Sequence, residues 1–216
     1  MRDASIVAAF DFDGTISTTD SLRVFVRRTV GTPRFVAGAL LASPWLIGAV
    51  MKLIDRGTAK AAFLRAVFAG RSRAQLEADA QDFIAHQLPA LLRPEMLARV
   101  RQHRALGHRI VLVSASPGLY LRPWAASVGF EAVLSTELAF DAQDRFAGTF
   151  AQPNCWGPEK VRRLEAWWGD APPRVLFAYG DSRGDKEMAE RADHAWIRGQ
   201  GKLMPLTDAD APVRAQ

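Results

Sequence analysis

The chain has 216 residues, 49% of them hydrophobic and 24% charged, with a formal net charge of +5. That composition excludes a disordered or fibrous chain, and the length suffices for one sizeable core or a core plus a smaller domain. A single cysteine, Cys155, excludes an internal disulfide and any multi-cysteine metal site.

The first ten residues, MRDASIVAAF, carry an apolar run too short for a signal peptide, so a cytoplasmic start is expected. The run SIVAAF (5–10) reads as a buried strand. It ends in Asp11 and Asp13, followed by Gly14 and Thr15. Asp and Gly are poor strand residues and neighbouring carboxylates repel, so this is either a strand-stopping turn or a site that holds a cation. From 18 to 90 no strand is expected, and a helical insertion is placed at roughly 16–88. Residues 94–107 then read as an amphipathic helix stopping at Gly107. RIVLVSAS (109–116) and EAVLST (131–136) read as strands, and 138–150 as a β-hairpin with a polar centre at 141–144. Residues 157–169 form a second helix with Pro158 in its first turn, and RVLFAYGD (174–181) a last strand. Apolar strands separated by helices predict an α/β protein, a parallel sheet covered on both faces. Its core spans 1–15 and 89–216.

Sites in such sheets form beyond the C-terminal strand ends. Those ends hold Asp11 and Asp13, Ser114 with Ala115 and Ser116, and Asp181 with Asp185 four residues on. Lys160 lies near the start of the helix before the last strand. The set suits phosphoryl transfer. Asp11 and Asp181 offer hard oxygen ligands to Mg²⁺. Asp11 can attack phosphorus, and Asp13 can protonate the leaving alkoxide and later activate water. Ser114, the Ala115 N–H and Lys160 can hold the phosphate oxygens where charge develops. Each residue also has a plainer reading: Ser114 as a strand-end serine, Asp185 as a helix cap, Lys160 as a solvated helix residue. Cys155 reads as packing, and none of His86, His103, His108 and His194 falls in a motif.

DFDGT, Ser114 in VLVSAS, Lys160 in GPEKVRRL, and GDSRGD resemble, in order, the four motifs of the haloacid dehalogenase superfamily. The resemblance implies a Rossmann-like core, and the insertion resembles a C1-type helical cap. The hairpin before NCWGPEK resembles the phosphoserine-phosphatase-like subclass, IB. By that resemblance Asp11 is the nucleophile and Asp13 the acid/base. Mg²⁺ is bound by Asp11, Asp181 and the Asp13 backbone carbonyl, with Asp185, Gly14 and Thr15 in support. A carboxylate at the position of Asp13 marks the phosphatase and phosphotransferase branches, where a leaving alkoxide needs a proton.

The insertion bears on the substrate. Asp20 stands where resembling phosphatases carry a Glu that recognises an amino group, yet it also reads as a helix N-cap. Residues 16–72 hold nine Lys or Arg against two Asp, either a solvated basic face or one for an anionic partner. No nucleic-acid-binding signature appears, and no nucleic acid partner is expected. FVAGALLASPWLIGAVM (35–51) has no charge and lies between Arg34 and Lys52. A single transmembrane crossing would separate Asp11 from Lys160 and Asp181, and Pro44 favours a break into two helices. The run is therefore either a hairpin buried in the cap or an interfacial segment on an anionic membrane. It resembles the cap of bacterial phosphatidylglycerophosphate phosphatases. The expected activity is Mg²⁺-dependent phosphomonoester hydrolysis of a small ester such as phosphoserine or of a lipid phosphate. The location expected is cytoplasmic or peripheral to the inner membrane face. A phosphotransferase and a non-catalytic binding protein of the same fold are the alternatives.

Overall fold

The computed structural model describes residues 6–206. Ser5 of the first expected strand and the ends of the expected core, 1–5 and 207–216, lie outside the described residues. In chain order the elements are β1 (Ile6–Phe10), α1 (Ser21–Leu41), α2 (Ser43–Val50), α3 (Arg56–Phe68), α4 (Arg73–His86), the single turn α5 (Leu88–Leu91), α6 (Pro94–Ala105) and β2 (Arg109–Pro117). There follow α7 (Gly118–Val128), β3 (Ala132–Thr136), β4 (Leu138–Phe140), β5 (Phe146–Phe150), α8 (Pro158–Trp168), β6 (Val175–Gly180), α9 (Lys186–Arg191) and β7 (His194–Ile197).

Five strands form a parallel sheet in the order β3-β2-β1-β6-β7. Central β1 is buried on both faces, which explains its uninterrupted apolar sequence. Ile6, Ala8 and Phe10 join one hydrophobic cluster, with Met96 and Val100 of α6 and Leu121 of α7. Val7 and Ala9 join the other, with Leu164 of α8 and Met188 of α9. The expected α/β sheet is thus present.

The helices α1–α5 follow the first strand. The chain leaves and re-enters the sheet layer side by side, because Ser17 forms an antiparallel bridge to Leu92. The larger cluster continues from the sheet into these helices. Phe25 and Phe83 pack on the Tyr120 ring of α7, with centroids 5.1 and 5.3 Å away, and the Tyr120 hydroxyl lies 2.9 Å from Ser21 Oγ. The expected hairpin forms from β4 and β5, which pair antiparallel. Asp141 Oδ1 accepts from the N–H groups of Gln143 and Arg145 across its turn.

Among the described residues, no single helix is long and apolar enough to cross a membrane; α1 and α2 together pass by length and composition but are bent by 63°. Pro44 lies in the first turn of α2, just past the break, as expected. A second break inside α1, at Gly31 with φ 76°, precedes Pro33. The 35–51 run is largely open to solvent. Among the described residues, eight of the nine large exposed hydrophobic side chains fall between Val36 and Leu53, with Leu40 and Leu41 at 69% and Val50 at 83%.

Candidate active site

At the end of β1, the Asp11 N–H donates to the Tyr179 carbonyl at 2.9 Å and holds the chain against β6. The backbone then turns sharply through residues 12–16, with Gly14 at φ 77°. The turn is tight enough that a Cβ on Gly14 would meet Asp181 Oδ2 at 2.0 Å. Thr15 Oγ1 donates to Asp11 Oδ2 at 3.3 Å. The aspartates of β1 and β6 therefore face each other across a bare glycine.

Lys160 enters from the first turn of α8, behind Pro158. It is 2% exposed, and its Nζ donates to Asp11 Oδ1 at 2.6 Å and Asp185 Oδ1 at 2.5 Å. Burial opposes its charge, but the Asp11 and Asp185 carboxylates outweigh burial and hold the ammonium above its usual range. The other Asp185 oxygen accepts from the Asp181 and Ser182 N–H groups, both at 3.1 Å. Burial pushes Asp185 up, yet Lys160 and these donors leave it below the ordinary carboxylate range. Asp185 is thus a buried member of the site that also closes the capping box of the short 183–185 turn, while its side chain makes no cap to α9.

Asp11 is pushed up to about 8 by burial; Lys160 pulls against this, while Asp185 and Asp13 add to it. Half-buried Asp181 is raised by burial and then by Asp185. Ligand oxygens of Asp11, Asp181 and Asp185 lie within 4.8 Å of one another. This set fits a hard divalent cation, because three convergent carboxylates have one buried ammonium to balance them.

Asp13 turns its carboxylate to the other side. Oδ1 accepts from the Ser21 N–H at 2.7 Å, and Oδ2 accepts from the Ser116 hydroxyl. Burial raises its pKa and Asp20 adds to that, against the hydrogen bonds from Ser116 and Ser21. Ser114, buried in β2 just before its pairing with β3 shifts register, accepts from the Ser116 N–H at 3.1 Å. Asp20 caps α1 through the Arg23 N–H at 3.0 Å and also lines the pocket.

A cavity of about 530 Å³ joins these groups: Asp11, Asp13, Asp20, Ser114, Ala115, Ser116, Lys160 and Asp181 all line it. The sequence reading missed the rest of the wall. Phe35, Leu46, Ala49, Val50 and Phe63 come from α1–α3, as do Arg23, Arg56 and Lys60, and Asn154 and Trp156 come from the loop before α8. Asn154 and Trp156 fall in NCWGPEK, directly before Lys160; for the residues of α1–α3 the available signal was the coincidence of basic and apolar residues within 16–72.

Carboxylates at the ends of the adjoining strands β1 and β6, a lysine on the helix that precedes β6 and a helical insertion lining the pocket define a class of hydrolase on a Rossmann-like sheet. The chain belongs to the family described as haloacid dehalogenase-like hydrolase, which matches residues 8–190. It is 39% identical over 198 residues to Protein CicA of Caulobacter vibrioides, covering 92% of this chain and 88% of that protein. Its fold is similar to that of a crystal structure of a protein with unknown function from Bordetella pertussis Tohama I, at TM-score 0.74 and 23% identity, covering 89% of each chain. It is also similar to a phospho-aspartyl intermediate analogue of phosphoserine phosphatase, at TM-score 0.62 and 12% identity, covering 88% of this chain and 85% of that one.

Proposed function

We propose that the protein is a Mg²⁺-dependent phosphomonoesterase working through an aspartyl-phosphate on Asp11. The observation that carries this is Lys160 bridging Asp11 and Asp185 with Asp181 beside them, while the Asp13 carboxylate is held apart from that cluster by the Ser21 N–H and the Ser116 hydroxyl. Asp11 attacks phosphorus, the bond to the leaving oxygen breaks, and Asp13 gives that oxygen its proton. Asp13 then takes a proton from water as the water attacks phosphorus and releases phosphate from Asp11. Ser114, the Ala115 N–H and Lys160 hold the phosphate oxygens, and Ser116 orients Asp13. Asp11, Asp181 and the Asp13 backbone carbonyl would hold Mg²⁺, with Asp185 in support; the ion would offset the repulsion between an anionic nucleophile and an anionic phosphate. In this reading 1–15 and 89–216 are the catalytic core, and 16–88 is the cap that selects the leaving group. The phosphoserine phosphatase whose fold it shares has a phospho-aspartyl analogue, which supports the covalent step.

A second observation favours an amphiphilic substrate. Leu46, Ala49 and Val50 of α2 line the pocket, while Leu40, Leu41, Ile47, Met51 and Leu53 stand exposed nearby, between Arg34, Lys52 and Arg56. We read this as a lipid phosphate taken from an anionic membrane surface on the cytoplasmic side, with phosphatidylglycerophosphate as one such ester. The test is a panel of phosphate esters, including phosphoserine and phosphatidylglycerophosphate, assayed for Mg²⁺-dependent phosphate release. Release from none of them overturns the phosphatase reading. Phosphoryl transfer to added acceptor alcohols in preference to water would assign a phosphotransferase instead.

A further inference from the structure

The pocket contains a second lysine that neither the motifs nor the chemistry above employs. Lys60, on α3, reaches down to the phosphate-binding loop. Its Nζ donates to the Ala115 carbonyl at 2.9 Å and to Asn154 Oδ1 at 3.2 Å. Both acceptors are neutral, and an ammonium has three protons to give. Among the described residues no carboxylate lies within ion-pair distance of it, whereas Lys160, some way along the same pocket, has two. Burial pulls Lys60 below the usual lysine range, and Asp13 and Asp20 oppose this only through space.

A half-buried cation without an ion-pair partner is costly unless an anion completes it. Lys60 shares the pocket with Asp13, the side on which the leaving group departs, and Arg23 and Arg56 add positive charge to the same cap-derived wall. Two carboxylates already balance Lys160, whereas both acceptors of Lys60 are neutral, so the charge of Lys60 is left for an anion of the substrate to meet.

We propose that Lys60 is the specificity residue for a second anionic oxygen on the leaving group, so that the substrate is a phosphomonoester carrying a further carboxylate or phosphodiester. The proposal rests on the phosphomonoesterase reading for the identity of the first anion, but not for the existence of the second subsite. It also distinguishes Lys60 from a mere strut between α3 and the loop at Ala115, because a strut would affect all esters alike.

The experiment compares matched esters that differ in the second anion: O-phosphoserine against O-phosphoethanolamine, and phosphatidylglycerophosphate against phosphatidic acid in mixed micelles. The parent, Lys60→Met and Lys60→Arg are assayed for kcat and KM, with thermal melts to confirm folding. The ratio within each pair is the readout, so a general loss of activity cancels. The parent should prefer the doubly anionic ester of at least one pair by tenfold or more. Lys60→Met should lose that preference, chiefly through KM, and Lys60→Arg should keep most of it. The same pairs are titrated calorimetrically into Asp11→Asn with and without Lys60→Met, which reads the subsite even if no ester turns over. Loss of turnover with a retained, Lys60-dependent binding preference would overturn the phosphatase reading alone. No preference in either pair, or one that survives Lys60→Met, overturns the role of Lys60.

Discussion

Gly14 and Asp181 approach so closely that a Cβ on the glycine would lie 2.0 Å from Asp181 Oδ2. The same glycine holds φ 77°, where a side chain costs about 1–2 kcal/mol on backbone grounds alone. Gly14→Ala should therefore lower stability by at least that amount and displace Asp181 from Asp11. Urea unfolding and phosphate release check it together. An alanine variant with unchanged midpoint and unchanged activity would show that the two strand ends do not need this contact.

Asp11→Asn should abolish turnover while the protein stays folded. A neutral amide cannot attack phosphorus, and Lys160 keeps Asp185 as its partner at 2.5 Å, so the buried ammonium is not left alone. Circular dichroism and a phosphatase assay are enough. Activity within tenfold of the parent would remove Asp11 from the nucleophile's role.

The strands and the acidic strand ends were legible because burial on both faces writes an apolar run and a site interrupts it. Three elements were not: α7, β7 and the six-residue α9. α7 begins at Gly118 and contains Pro123, both poor helix signals, and its helicity comes from packing Tyr120, Leu121 and Trp124 into the core. β7 lies at the sheet edge with His194 and Ala195 exposed, so its sequence HAWI lacks the apolar run that marks the inner strands. The half of the pocket lined by Asp11, Asp13, Lys160 and Asp181 was readable from motifs, since these residues stand at or just past strand or helix ends. Lys60 reaches the site only through tertiary folding, and no local pattern points to it; Asn154 and Trp156 stand in NCWGPEK beside Lys160, but only the fold shows that they line the pocket.

Asp181→Asn should raise the Mg²⁺ concentration that gives half-maximal activity, since it removes one charged oxygen donor from the cluster with Asp11 and Asp185. Activity is followed against Mg²⁺ for both proteins. Coincident curves would show that Asp181 is not a ligand.

Cys155 should be inert to thiol reagents in the native protein at neutral pH. The side chain is fully buried, and burial pushes its thiol up to about 11. An acid whose pKa is raised by folding has a sign that can be read from stability. The folded state loses stability as pH rises from the unfolded thiol's range, near 8.5, toward 11, because the unfolded chain ionises first. The parent should therefore lose stability over that window more steeply than Cys155→Ala. Rapid labelling of the native thiol, or parallel pH profiles, would contradict the burial of this group.

The exposed end of the α1–α2 pair allows the membrane reading to be tested apart from the chemistry. Leu46 and Val50 belong to the pocket wall, so changing them would confound binding with catalysis. Ile47 and Met51 are 59% and 63% exposed and do not line the pocket. An apolar surface of this size binds membranes weakly, and each basic residue that reaches an anionic surface adds about 1 kcal/mol; Arg34, Lys52 and Arg56 stand exposed around it. The parent should float with anionic vesicles at low salt, less at high salt, and little with neutral vesicles. Replacing Ile47 and Met51 with Ser should weaken flotation severalfold and leave hydrolysis of a water-soluble ester within about twofold, because exposed side chains contribute little to stability. If the pair instead packs against another part of the protein in solution, the same change should lower the melting temperature and all activities together. Failure of the parent to float on anionic vesicles at low salt would exclude the membrane surface and leave a soluble ester as the substrate.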